Sequence, residues 1–314
     1  MKPPAVPNCR IGRLLGEGTT GTVYEAVNDA GEALAIKFLR ETFADDREVV
    51  ARFAREAKIC ARLRSEHIAA VVGAGRTEQT YWIIYRRLVG ETLAQRVRRD
   101  RVLALAALTP IVEQVLRGLA VAHAAGVVHR DIKPANIMLE RAGAGERACI
   151  LDFGVSKDRS HAHSGSSSTG RSLTSHTATL GTINYMPPEQ IGASAGADHR
   201  ADLYSAGVVA YRAMSGQLPY VGSSQAIVLH AKLNEDARSL EHATGSRWAD
   251  SLETFFRRAL AREPSARFQD AGAMGAAWAD AVRAATPVDL ERLRQRNADS
   301  EDGDDTVLDD AAGR

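Results

Sequence analysis

Two acids and one amide, Asp131, Asn136 and Asp152, sit at the mouths of short apolar runs between Val128 and Gly154. Ile137 to Leu139 and Ala148 to Leu151 each read as a brief strand, joined by the Gly-rich turn around Ala142 to Glu146. A hairpin there holds Asn136 and Asp152 side by side. Oxygen-bearing side chains at converging strand ends suit a hard cation such as Mg²⁺, which keeps several waters and takes few protein ligands. Asp131 is then left for another task. The competing reading of these residues is a buried hairpin whose polar groups cap its turns.

Other elements must place this stretch. Residues 10–39 alternate like an antiparallel sheet, with the turn N28-D-A-G31 between two of the strands. Between the first two strands lies G16-E-G-T-T-G21-T-V23, where glycines let the backbone approach a ligand and aim amides at phosphates. A strand follows this loop, whereas a dinucleotide site would open a helix there. In L34-A-I-K37 the alternation puts Ala35 and Lys37 on one face, where a solvated lysine is the plain alternative. The segment from about Asp45 to Leu63 reads as a helix with Val49, Phe53, Cys60 and Leu63 on one stripe and Glu56 in its middle. Burying Glu56 unpaired would cost several kcal/mol, so it needs a cationic partner. Glu48 lies off the stripe.

The combination H129-R-D-x-K-x-x-N136 and D152-F-G154 resembles the catalytic loop and metal-binding motif of eukaryotic-type protein kinases, most of all bacterial serine/threonine kinases. The resemblance implies an α+β, bilobal fold. A small antiparallel β-sheet N-lobe with one main helix would occupy about residues 10–87, and an α-rich C-lobe about residues 91–285, after a short extension at 1–9. It further implies ATP with Mg²⁺, or Mn²⁺ as the alternative metal. Leu15, Gly16, Glu17, Gly18, Thr19, Thr20, Gly21, Val23, Ala35 and Lys37 would line the nucleotide site. Tyr85 would limit its depth, and the backbone around Arg86 to Leu88 would read adenine. By the same resemblance Lys37 grips the α and β phosphates and pairs with Glu56. Asp152 and Asn136 hold the metal, Asp131 takes the hydroxyl proton and Lys133 neutralises the moving phosphoryl group. Lys133 argues against a tyrosine kinase. Arg86 and Arg87 depart from the acidic or apolar residues usual there and read as a solvated pair, with a preference for an acidic peptide as the rival.

Residues 152–189 would be the activation segment, and S156 to T179 is too polar and Ser-rich to order itself. Thr177 and Thr179, then Thr174, are the candidate phosphorylation sites, with Arg130 to receive the phosphate. A metal site at His161, His163 and His176, or a linker without function, are the alternatives. G181-T-I-N-Y-M-P-P-E189 resembles the substrate-docking segment, where Thr182 positions Asp131 and Lys133; Pro187 replaces the usual Ala or Ser. By resemblance Glu189 pairs with Arg267, and Asp202 anchors the catalytic loop from the first turn of a buried helix that ends at Gly216. Helices around Ser223 to Leu233, Ser251 to Ala261 and Asp270 to Ala284 complete the lobe.

The 314 residues, 45% apolar and 25% charged with net charge +1, describe a soluble globular protein and favour neither a nucleic-acid nor a membrane-surface partner. Cys9, Cys60 and Cys149 follow no zinc or disulfide spacing, so a reducing cytoplasm is expected. No run reaches the ~20 apolar residues of a membrane span; Leu103 to Val128 is interrupted by Pro110, Glu113, Gln114, Arg117 and His123, and its second half reads as a core helix. Residues 286–314 turn acidic and read as disordered. Within them Thr306 and Asp309 have the spacing read by phosphothreonine-binding forkhead-associated domains. The function expected is ATP-dependent phosphorylation of protein Ser/Thr hydroxyls, including the activation loop, with a kinase–kinase dimer as a candidate route to activation. A nucleotide-binding pseudokinase scaffold and a small-molecule phosphotransferase are the rival classes.

Overall fold

The computed structural model describes residues 3–18, 21–77, 80–143, 145–153, 180–191 and 197–285. Alternating sequence in the first part forms an antiparallel sheet of β1 (Cys9–Glu17), β2 (Gly21–Asn28), β3 (Ala33–Leu39), β4 (Val71–Arg76) and β5 (Tyr81–Arg86), in the order β1-β2-β3-β5-β4. The turn between β2 and β3 uses Gly31 at φ +81°, a conformation glycine adopts without a Cβ clash. Helix α1 (Arg47–Cys60) crosses between β3 and β4. It starts at Arg47 because the Asp46 carboxylate caps it, accepting from the amides of Glu48 and Val49, and it ends at Cys60, three residues before the expected Leu63. Its stripe Val49, Phe53, Ala57 and Cys60 is buried, and Glu56 is buried among them.

The second part begins with β6 (Gly90–Thr92) and α2 (Leu93–Asp100), whose start is a capping box between Thr92 and Gln95. Helix α3 (Leu105–Ala124) runs through Pro110 rather than stopping at it. The proline removes one backbone bond, at about 3 kcal/mol, but Leu108, Ile111, Val112, Val115, Leu116 and Leu119 are all buried along the same helix. Among the described residues α3 is the helix whose length and composition would suit a membrane span; its buried residues belong to the main apolar core. Strands β7 (Ile137–Ala142) and β8 (Gly145–Ile150) form the expected hairpin, extended by β6 on the other edge of β7.

Helices α4 (Leu180–Tyr185), α5 (Pro188–Ile191), α6 (Arg200–Ser215), α7 (Gln225–Asn234), α8 (Leu240–Thr244), α9 (Asp250–Ala259) and α10 (Ala271–Arg283) complete the α-rich part. Helix α6 is buried almost along its whole length and ends at Gly216, left-handed at φ +74°. Trp278 on α10 lies against Phe255 and Phe256 of α9, with ring centres 5.1 and 6.2 Å away. The α+β division expected from the sequence is the one observed.

Gly90 shows how tightly β6 docks on β7, since a Cβ there would run into the Leu139 carbonyl and the Cα of Glu140. Gly90→Ala is expected to lower unfolding free energy by about 1–3 kcal/mol, read as a lower urea midpoint at unchanged slope. An unchanged midpoint would mean that β6 is loosely held.

Candidate active site

Strand β3 pairs with β2 and β5 in a register that sets Lys37 opposite Val23 and Ile83. From there the Lys37 ammonium donates to Glu56 Oε1 at 3.0 Å and to Asp152 Oδ1 at 2.8 Å. One cation therefore ties β3, α1 and the exit of the β7–β8 hairpin together. Lys37 and Glu56 are each 8% exposed, whereas the Asp152 side chain is 46% exposed. Burial works against the Lys37 charge, but the carboxylates of Asp152 and Glu56 outweigh it and hold the pKa above the ordinary lysine value. Burial raises the Glu56 carboxyl, and Lys37 pulls it back. Glu48 takes no part; its amide is bound by the helix cap.

Glu56 has a second donor that sequence reasoning missed. The Tyr85 hydroxyl, near the end of β5, donates to Glu56 Oε1 at 2.9 Å. Burial also pushes the neighbouring Cys60 thiol up to about 12, which makes it inert at neutral pH.

The catalytic-loop residues are fixed by one buried acid. Asp202 on α6 accepts from the amides of His129 at 2.8 Å and Arg130 at 2.7 Å, and lies 2.8 Å from His123 Nε2 on α3. Arg130 has φ +63°, a strained conformation for a residue with a side chain, and the paired amides hold it. His129 Nε2 lies 2.8 Å from the Leu151 carbonyl, and its ring is 4.8 Å from that of Phe153. The loop is thus attached to the chain just before and just after Asp152.

Asp131 then meets Asn136 and Lys133. Asn136 Nδ2 donates to the Asp131 carbonyl at 2.8 Å and to its Oδ2 at 3.2 Å, while Lys133 Nζ is 3.3 Å from the same Oδ2. Across the hairpin the Leu151 amide donates to the Asn136 carbonyl at 2.8 Å, which places Asn136 beside the strand that leads into Asp152. Both Asn136 side-chain bonds among the described residues are made by its Nδ2, so its amide oxygen accepts no hydrogen bond from them. A half-exposed carboxylate and an amide oxygen are a fitting donor set for a hard divalent cation that retains water. Among the described residues no group of three or more His, Cys, Asp or Glu could hold a metal by itself.

The glycine loop divides into two roles. The Gly18 amide bonds the Gly21 carbonyl at 2.8 Å and closes the turn. A Cβ on Gly16 would meet open space, so neighbouring atoms do not demand glycine there, whereas a Cβ on Gly21 would strike the Phe38 carbonyl. Gly21 is therefore required by the β2–β3 contact. Leu15 and Glu17 lie on β1, Ala35 pairs with Tyr85 across β3 and β5, and Leu88 is buried just past β5. Thr19 and Thr20 lie outside the described residues.

Arg86 is exposed, as the reading of a solvated pair expects, whereas Arg87 is partly buried, and both guanidinium groups are engaged by the protein. Arg86 grips the buried Glu140 of β7 with both nitrogens, at 2.6 and 3.0 Å, across the junction between the two parts of the chain. Arg87 bonds the Leu88 carbonyl and lies 3.9 Å from Glu25. The bidentate pair needs Glu140, 54 residues away, which local sequence does not reveal. Glu189 and Arg267 form a bidentate pair at 2.7 and 2.7 Å, with Arg267 1% exposed. Thr182 lies on α4, its side chain outside the described atoms. Thr174, Thr177, Thr179, the three histidines and Thr306 with Asp309 fall outside the described residues.

Residues 9–279 match the protein kinase domain family. The chain belongs to that family, in the eukaryotic-type branch found in bacteria. It is 35% identical over 294 residues to Serine/threonine-protein kinase pkn3 of Myxococcus xanthus, covering 92% of this chain and 51% of the relative. It is 35% identical over 277 residues to Serine/threonine-protein kinase PknJ of Mycobacterium tuberculosis, covering 87% and 45%. The crystal structure of the M. tuberculosis PknI kinase domain superposes with a TM-score of 0.65 at 27% identity, covering 88% of this chain and 97% of that domain. The chain spans about half the length of the curated relatives it matches.

Tyr85→Phe removes one donor from a buried carboxylate and leaves the ring. The expected loss is about 1.5–3 kcal/mol of unfolding free energy, measured by denaturant titration against wild type. Equal midpoints would show that the phenol contributes nothing to holding Glu56.

Proposed function

We propose that the chain is a serine/threonine protein kinase that transfers the γ-phosphoryl group of ATP to protein hydroxyls, its own activation segment included. The observation that carries this reading is the arrangement of Asp131 with Lys133 and Asn136 at the open end of a hairpin, where the same end presents Asp152 to the buried Lys37–Glu56 pair. The protein kinase family uses ATP and a divalent metal. Asp152 and Asn136 would hold that metal, Mg²⁺ by their oxygen chemistry, and when bound it neutralises phosphate charge.

Asp131 orients the Ser or Thr hydroxyl and accepts its proton as the oxygen forms its bond to the γ-phosphorus and the bond to the β-phosphate oxygen breaks, releasing ADP. Lys133, already at the Asp131 carboxylate, stabilises charge on the group in transit. Lys37, held as an ammonium, positions the nucleotide phosphates, and Glu56 keeps its side chain aimed. The backbone from Arg86 to Leu88 reads adenine and Gly16 leaves room above the phosphates. A lysine two residues after the aspartate supports Ser/Thr over Tyr, as do the names of the relatives.

Control is read from sequence. Thr177, Thr179 and Thr174 are the proposed phosphorylation sites, a second copy of the chain the proposed donor, and a forkhead-associated domain the proposed reader of Thr306. A cytoplasmic setting fits three free thiols and a need for ATP.

Purified chain incubated with ATP and Mg²⁺, with phosphosites mapped by mass spectrometry, tests the reading. Asp131→Asn should lower transfer by about 10²–10⁴-fold while ATP affinity stays within about twofold. Parallel loss of both would remove Asp131 from the proton-accepting role.

A further inference from the structure

Helix α7 carries a lysine that the chemistry above does not use. Lys232 is 1% exposed, and its ammonium has no carboxylate partner among the described residues. Its Nζ donates to the Asn184 carbonyl at 2.6 Å and to the Met186 carbonyl at 2.8 Å. Between them the Tyr185 carbonyl accepts from Ser205 Oγ of α6 at 2.8 Å. Three consecutive carbonyls are thus held by buried side chains, two of them by one lysine. The rings of Tyr204 and Tyr220 complete the enclosure, their centres 5.7 and 5.8 Å from Nζ. Taking an ammonium out of water costs several kcal/mol, and an apolar side chain would fill the space at lower cost. What the lysine adds is its hold on the backbone.

We infer that Lys232 is a positioning residue for the protein substrate, fixing the course of residues 184–186 near the C-terminal end of the activation segment. The inference rests on the kinase reading, which gives residues 181–189 the docking of the polypeptide to be phosphorylated. Lys232 then acts on substrate affinity without touching ATP or the reacting atoms.

The charged groups around it are otherwise engaged. Glu189 of α5 gives both oxygens to Arg267, whose guanidinium covers the Tyr204 ring at 4.7 Å. Arg262 pairs with Asp236 at 3.3 Å near the end of α7. Burial keeps the Tyr204 and Tyr220 phenols neutral, and α4 contributes the Asn184 carbonyl. Burial alone pulls Lys232 down to about 7. Because the folded value lies below the unfolded one of 10.5, the cost of the buried charge is fully present below about pH 7 and fades as pH rises toward 10.5. The ammonium itself, and with it the stronger grip on the carbonyls, is lost as pH rises through about 7.

The test compares wild type with Lys232→Met at about pH 6.5, using ATP and myelin basic protein. The expected result is a KM for the protein raised about tenfold, an unchanged KM for ATP and a melting temperature no lower than wild type. An unchanged protein KM in the folded variant overturns the inference. If the variant does not fold, hydrogen exchange on wild type decides. Protection of the Tyr185 and Met186 amides relative to those of α6 should fall severalfold between about pH 6 and pH 9, and a constant ratio overturns the inference. Wild type that phosphorylates no protein defeats the kinase reading, while the exchange ratio still tests the lysine.

Discussion

A buried ammonium between two carboxylates is the constraint on which the active site depends. Lys37 cannot stay charged inside the sheet without Glu56 and Asp152, and neither acid comes from its own strand. Satisfying it fixes where α1 lies against the sheet and where the hairpin exit lies against both. Tyr85 reinforces the arrangement from β5 by donating to the same glutamate oxygen. Backbone pairing of His67 and Ala69 with Ile150 carries the restraint from the chain after α1 into β8. The site is therefore assembled by charge satisfaction as much as by apolar packing.

The same physical rule recurs in the α-rich part. Asp202 is buried on α6 because two backbone amides and a histidine meet it, and this orders the loop that bears Asp131. Arg267 is buried because Glu189 receives both ends of its fork, and three backbone carbonyls, of Ala261, Arg200 and Arg262, accept from the same guanidinium. At the junction between the sheet and the helices the buried charge is Glu140, held by both guanidinium nitrogens of the exposed Arg86. Each buried charge names the segment that has to be nearby.

Much of this was legible in the sequence. Alternation located β1 to β3 and short apolar runs located β7 and β8, while β4 and β6 went unread; the apolar stripe located α1 and exposed Glu56 as a carboxylate in need of a partner, and motif spacing singled out Asp131, Asn136 and Asp152. What local pattern could not supply were contacts between distant residues: Tyr85 with Glu56, Arg86 with Glu140, and Lys232 with the carbonyls of Asn184 and Met186. Pro110 misled because burial of Ile111, Val112 and Val115 outweighs one lost helix bond. Gly21 was read with the phosphate loop, yet the Phe38 carbonyl demands it. The start of α2 carried a readable signal, the Thr92 and Gln95 capping box, that went unused.

The central claim, that Lys37 and Glu56 act as one unit, is tested most directly by a double-mutant cycle on unfolding free energy with Lys37→Met, Glu56→Leu and both together. Removing Lys37 strands the buried Glu56, and removing Glu56 leaves Lys37 with the half-exposed Asp152 alone, so each single change should cost about 3–5 kcal/mol. The double variant should cost less than the sum by at least about 1 kcal/mol. Additive losses would contradict the account and assign the two residues independent roles.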